Sequence, residues 1–138
     1  MISYSGLLLV SAPVQFLHGL KRAMKEEFEC IFSYGADATE MGNLLRENEF
    51  DAWLVSPCPT YIIDQLMVDL CPSLKIIATP STGSNHLDVD YLKKRDIKFF
   101  CLKGTDVINR IHASSEFTFN LMISTIRNTP FAFESVRN

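Results

Sequence analysis

Apolar residues arrive along the chain in short blocks, separated by polar stretches with helical spacing. The block GLLLVS at 6–11 reads as a strand, with Pro13 just beyond it. Over 14–28, Phe16, Leu20, Met24 and Phe28 recur on one helical face, while Lys21, Arg22 and Lys25 fall on a solvated one. ECIFS at 29–33 is a second strand, and 39–48 a short helix with Met41, Leu44 and Leu45 inward. AWLVS at 52–56 is a third strand. Pro59 can open a helix over 61–70, and Pro72 bars its continuation. LKIIAT at 74–79 is a fourth strand, Asp88 caps a helix running to about Arg95, and KFFCL at 98–102 is a fifth strand.

Strand and helix thus alternate five times. The strands are continuous apolar runs, as a parallel sheet covered on both faces requires. The fold class is α/β: a flavodoxin-like, doubly wound, five-stranded parallel sheet followed by a long C-terminal helix. A chain of 138 residues leaves room for one such domain of about 150 residues. The expected division is an α/β domain over 1–112 and a helix with a crossover tail over 113–138.

The formal net charge of -3 argues against a nucleic-acid partner or an anionic membrane, which clustered Lys and Arg would serve. No apolar run approaches the roughly 18 residues of a membrane span. The first ten residues lack the basic start and cleavage site of a signal peptide, so a cytoplasmic protein is expected. Cys30, Cys58, Cys71 and Cys101 form no C-x-x-C pair, and His18, His86 and His112 are scattered, so no metal site is expected. Cys30 and Cys101 sit in strand-like runs and read as buried small hydrophobes; Cys58 lies between two prolines and reads as an exposed thiol.

Ligands of open α/β sheets bind outside the carboxyl ends of the strands. The relevant loops are Ser11-Ala12-Pro13, Ser33-Tyr34-Gly35-Ala36, Ser56-Pro57-Cys58-Pro59, the stretch from Pro80 to His86, and Lys103-Gly104-Thr105. The fourth is the most informative. Gly83 permits a close approach to the backbone and unusual φ at little cost. Successive N–H groups there can cradle an anion, helped by the following helix dipole, and a carboxylate or phosphate is the natural guest. The plain alternative is a tight βα turn. His86 is expected to be a hydrogen-bonded loop histidine and Asp88 a helix cap; no catalytic residue is placed.

LKIIATPSTGSNHLDVDYLKKRDIKFF resembles the substrate-domain signature of the D-isomer-specific 2-hydroxyacid dehydrogenases. Farther on, Ala113-Ser114-Ser115-Glu116-Phe117-Thr118 resembles that family's small-small-Ala-Glu-His-Thr segment, which opens a long helix, here running to Arg127 and Asn128-Thr129-Pro130. The resemblance implies a two-domain enzyme that uses NAD to interconvert 2-hydroxy and 2-oxo acids in the cleft between its domains. It implies that Ser81, Thr82 and Gly83 bind the substrate carboxylate through their backbone, that Ser56 and Pro57 line the same pocket, and that Ser114 sits near the nicotinamide. Three positions depart from the pattern: Ser115 for alanine, Phe117 for histidine, and Asp96 for a helix-ending glycine.

None of Gly6, Gly19, Gly35, Gly42, Gly83 and Gly104 makes the G-x-G spacing of a dinucleotide fingerprint. By the resemblance, the catalytic Arg, Glu and His lie in the nucleotide-binding domain, beyond Asn138. The chain is therefore expected to be half of an enzyme, inactive and without NAD by itself, with the missing domain as a partner. Phe117, Phe119, Leu121, Met122, Ile123 and Ile126 are not confined to one stripe, so self-association as a dimer through 113–133, or a disordered tail, is expected. The alternative function is a stand-alone, non-catalytic module that binds a small carboxylate or regulates a partner. A phosphoacceptor receiver domain is disfavoured because Asp51 precedes the third strand, and a flavin carrier because Ser11-Ala12-Pro13 lacks a hydroxyl-rich phosphate loop.

Overall fold

The computed structural model describes residues 6–137. The chain divides into two compact units, Met1–Lys103 and Gly104–Asn138. The first is an α/β layer structure whose strands are β1 (Leu7–Val10), β2 (Glu29–Phe32), β3 (Ala52–Leu54), β4 (Ile76–Ala78) and β5 (Lys98–Phe100). They form one sheet in the order β2-β1-β3-β4-β5, every pairing parallel, which is the flavodoxin-like order.

The register decides which residues share a face. Leu9 pairs with Ile31 and Trp53, Trp53 with Ile77, and Ile77 with Phe99. This row meets helices α1 (Leu20–Glu27) on neither side; it packs under α2 (Ala38–Glu47), α3 (Gln65–Val68) and α4 (Val89–Lys94), with Met41, Leu45, Val68 and Leu92 completing the main core. The opposite row, including Leu8 and Val10, packs on Val14 and the half-buried Met24 in a smaller cluster.

Local chemistry explains most element ends. Asp37 and Glu40 form a reciprocal capping box at α2, and Asp64 and Asp88 cap α3 and α4 by accepting the Met67 and Tyr91 amides at 3.0 and 2.9 Å. Asp96 has φ 56, so the position where a glycine would end the helix is left-handed here.

Several expectations fail. The helix over 14–28 is broken: Val14–Phe16 is a single 3-10 turn, and left-handed Gly19 (φ 79) starts α1 afresh. Its predicted inward stripe is consequently exposed, Phe16 at 81%, and only Met24 is half-buried. Lys21 does not simply point into solvent, since its Nζ lies 4.8 Å from the centre of the Phe32 ring. The helix over 61–70 shrinks to α3, because Ile63 stays extended and pairs with Leu87. Cys30 and Cys101 are half-buried, whereas Cys71 is the buried cysteine and Cys58 is exposed.

The second unit holds a 3-10 turn (Ile108–Arg110), α5 (Ala113–Ile126) and α6 (Thr129–Arg137). Left-handed Asn128 (φ 51) joins the two helices, so the tail is helical, not disordered. Phe117, Leu121, Met122, Ile123 and Ile126 are exposed, Ile126 at 78%. No described helix is long and apolar enough to cross a membrane.

Candidate functional site at the carboxyl edge of the sheet

In this strand order β1 leads to β2 on one side, while β3 leads to β4 on the other. The loops leaving β1 and β3 therefore diverge and open a crevice between neighbouring strands. Ser11, the first residue after β1, is buried at its floor. Its Oγ accepts from Trp53 Nε1 at 2.9 Å and from the Ser56 amide at 3.2 Å, and donates to the Leu54 carbonyl at 3.4 Å. One hydroxyl thus ties the two diverging loops to the core tryptophan.

Above this floor is a cleft of about 80 Å³, lined by Ser11, Ser56, Cys58, Thr60 and Tyr61 with Ala36 opposite. Burial pushes the Tyr61 phenol up to about 12, with the Ser11 hydroxyl pulling the other way. A groove beside it shares Cys58 through Tyr61 with the cleft and runs on to Asn85 and His86. The β3 and β4 loops are stitched together here: the Ile63 amide donates to the His86 carbonyl at 2.9 Å, and the Asp88 amide to the Ile63 carbonyl at 3.0 Å. The His86 ring is less hydrated than in solution, which lowers its pKa. Among the described residues its enclosed Nε2 has no hydrogen-bond partner, so the expected hydrogen-bonded histidine is not found.

The loop after β4 is held by its own hydroxyls. Ser81 Oγ lies 3.1 Å from Thr79 Oγ1 and donates to the Gly83 carbonyl at 2.7 Å, and the Ser81 carbonyl accepts the Leu102 amide at 2.9 Å. Among the described residues, nothing accepts from the amides of Thr82, Gly83 or Ser84. Gly83 lies outside the left-handed region, and a Cβ built on it meets nothing within 4 Å. Its value is therefore open approach, not unusual φ. The expected help from the helix dipole is also absent: α4 spans only Val89–Lys94, and Asp88 already fills its start. The loop amides remain as open donors.

Ser56 and Pro57 thus lie along the same sheet edge as Ser81, Thr82 and Gly83, whereas Ser114 is exposed in the first turn of α5 in the second unit. Ser11 and Tyr61 escape a reading by residue pattern. Ser11 shows itself only once the strand order puts β1 beside β3, and Tyr61 falls inside the helix predicted for 61–70. Lengthwise opposite, at the amino edge, a groove of about 720 Å³ is lined by Leu8, Phe28, Asp51, Lys75, Asp96 and Lys98. There Asp51 accepts from Lys75 Nζ at 2.6 Å and from the Leu7 amide at 3.1 Å, and the Lys75 bond holds its carboxyl below the usual range.

Residues 10–108 match the family model described as D-isomer specific 2-hydroxyacid dehydrogenase, catalytic domain. The chain belongs to this family. A protein of Staphylococcus haemolyticus named as a 2-hydroxyacid dehydrogenase is 32% identical over 108 residues, which span 75% of this chain and 31% of that protein. The glyoxylate reductase/hydroxypyruvate reductase of Mus musculus is 34% identical over 79 residues, 55% of this chain and 22% of that protein. The chain spans about a third or less of the curated relatives it matches. The apo D-mandelate dehydrogenase of Rhodotorula graminis superposes with a TM-score of 0.67 at 22% identity, over 96% of this chain and 40% of that one. D-lactate dehydrogenase from Aquifex aeolicus, solved with NAD and lactic acid, gives 0.66 at 22% identity, over 95% and 37%. These two likenesses show the shared fold.

Proposed function

We propose that this chain is the substrate-binding portion of an NAD-dependent D-2-hydroxyacid dehydrogenase, an enzyme interconverting 2-hydroxy and 2-oxo acids. One observation carries the reading: among the described residues three consecutive amides, Thr82 to Ser84, lack a protein acceptor beside a cleft at the point where the strand order reverses. Those amides and that of Ser81 hold the acid's carboxylate, and Ser56 and Pro57 wall the pocket in which the rest of the molecule lies. Fixing the carboxylate orients C2, and the proline-lined loop and Tyr61 keep water from one side of it.

NAD, when bound, supplies the hydride acceptor for such an oxidation. The turns described here do not fit its pyrophosphate. Pro13 and Val14 follow β1 where a tight glycine turn would be needed, and no glycine pair gives G-x-G. Ser114 is the residue of this chain we place nearest the nicotinamide. The 138 residues alone therefore bind acid without turning it over, and a nucleotide-binding partner domain completes the site.

Trp53, the single tryptophan, touches the floor of the cleft through Ser11 and reports on it. D-lactate is expected to change its emission saturably, with no reduced nicotinamide formed when NAD is added. Turnover by this chain alone, or an emission that never responds to the acid, overturns the reading.

A further inference from the structure

Resting on the assignment of the loop after β4 as the carboxylate anchor, we infer that the acid has an uncharged side chain, received by the cleft between Ser11, Ser56, Cys58 and Tyr61. The first ground is charge. Among the described residues no Lys, Arg, Asp or Glu lines this cleft, and none lines the groove that continues it to Asn85 and His86. A phosphate or second carboxylate entering from the anchor would lose hydration and find hydroxyls but no cation, which disfavours it strongly. Lys75 and Lys98 line the groove at the amino edge, at the other end of the strands, and Arg46 lines a separate groove with Ala38 and Leu70.

The second ground is adjacency. β3 and β4 are neighbours, and the Ile63–Leu87 bridge ties their loops together, so an acid held by the loop after β4 has the cleft beside it.

The test is a titration of the whole 138-residue chain with glyoxylate, pyruvate and oxaloacetate, read from the amide resonances of Cys58, Tyr61, Thr82 and Gly83. Glyoxylate and pyruvate are expected to move both pairs and to bind at least about tenfold more tightly than oxaloacetate. Cys58 is exposed, so Cys58→Arg leaves the fold in place. It is expected to bring oxaloacetate to parity with pyruvate by supplying the missing cation. Equal binding of oxaloacetate by the unaltered chain, or no gain in Cys58→Arg, overturns the inference. So does movement of Thr82 and Gly83 without Cys58 and Tyr61, which leaves the anchor standing. Failure of every acid to move Thr82 and Gly83 overturns the anchor itself.

Discussion

The two edges of the sheet differ in a way that size does not convey. The amino edge has the larger groove, about 720 Å³ against about 80 Å³. Yet its central carboxylate is already paired: Asp51 takes the Leu7 amide and the Lys75 ammonium. The carboxyl edge is tighter and, among the described residues, leaves the Thr82, Gly83 and Ser84 amides without protein acceptors. A carboxylate already paired with protein donors is a structural tie. A small cleft beside unpaired donors is ready for an anion, because a ligand there replaces water without breaking a protein bond.

The contrast can be broken at four places. Trp53 underlies the carboxyl edge and is fully buried, so Trp53→Ala should cost about 3–5 kcal/mol in urea denaturation and disorder the crevice. Gly83→Val should weaken acid binding by at least about tenfold while changing stability by less than about 0.5 kcal/mol, since its φ is ordinary and its side chain enters open space. Unfolding and acid titration of the same variant separate the two effects.

Asp51→Asn at the amino edge should cost less than about 1 kcal/mol, because the pair it forms is solvent-exposed, and should leave acid binding unchanged. Its folded pKa is depressed, so this stabilisation is present above the ordinary value of 3.8 and lost as pH falls below it; the variant should lack that acid sensitivity. The smallest effect belongs to His86. Its folded pKa lies below 6.5, so the unfolded chain takes up the proton first and stability declines as pH falls from about 6.5. Denaturation at pH 7.5 and 5.5 should show that decline, and His86→Asn should flatten it.

The strands were legible because continuous apolar runs such as LLLV have one simple home, a sheet covered on both faces. The helix caps were legible where an aspartate stood at the right offset, as at Asp88. What misled was tertiary. Helical spacing over 14–28 did not reveal that Gly19 turns left-handed, and the apolar run at 61–63 was diverted from helix by pairing of Ile63 with Leu87. At the candidate site, the glycine loop and its amides are visible in the sequence, but the added help expected from the helix dipole fails, because Asp88 already satisfies the start of the short α4. The role of Ser11 depends on strand neighbours far apart in the chain, which periodicity does not encode.

The most direct measurement is a titration of the isotope-labelled chain with D-lactate, followed residue by residue through its amide resonances. Saturable shifts concentrated at Thr82, Gly83 and Ser84, with Asp51 and Lys75 unmoved, are the predicted result. Shifts concentrated around Asp51 and Lys75, with the loop after β4 silent, would contradict the assignment of the carboxyl edge as the acid-binding site.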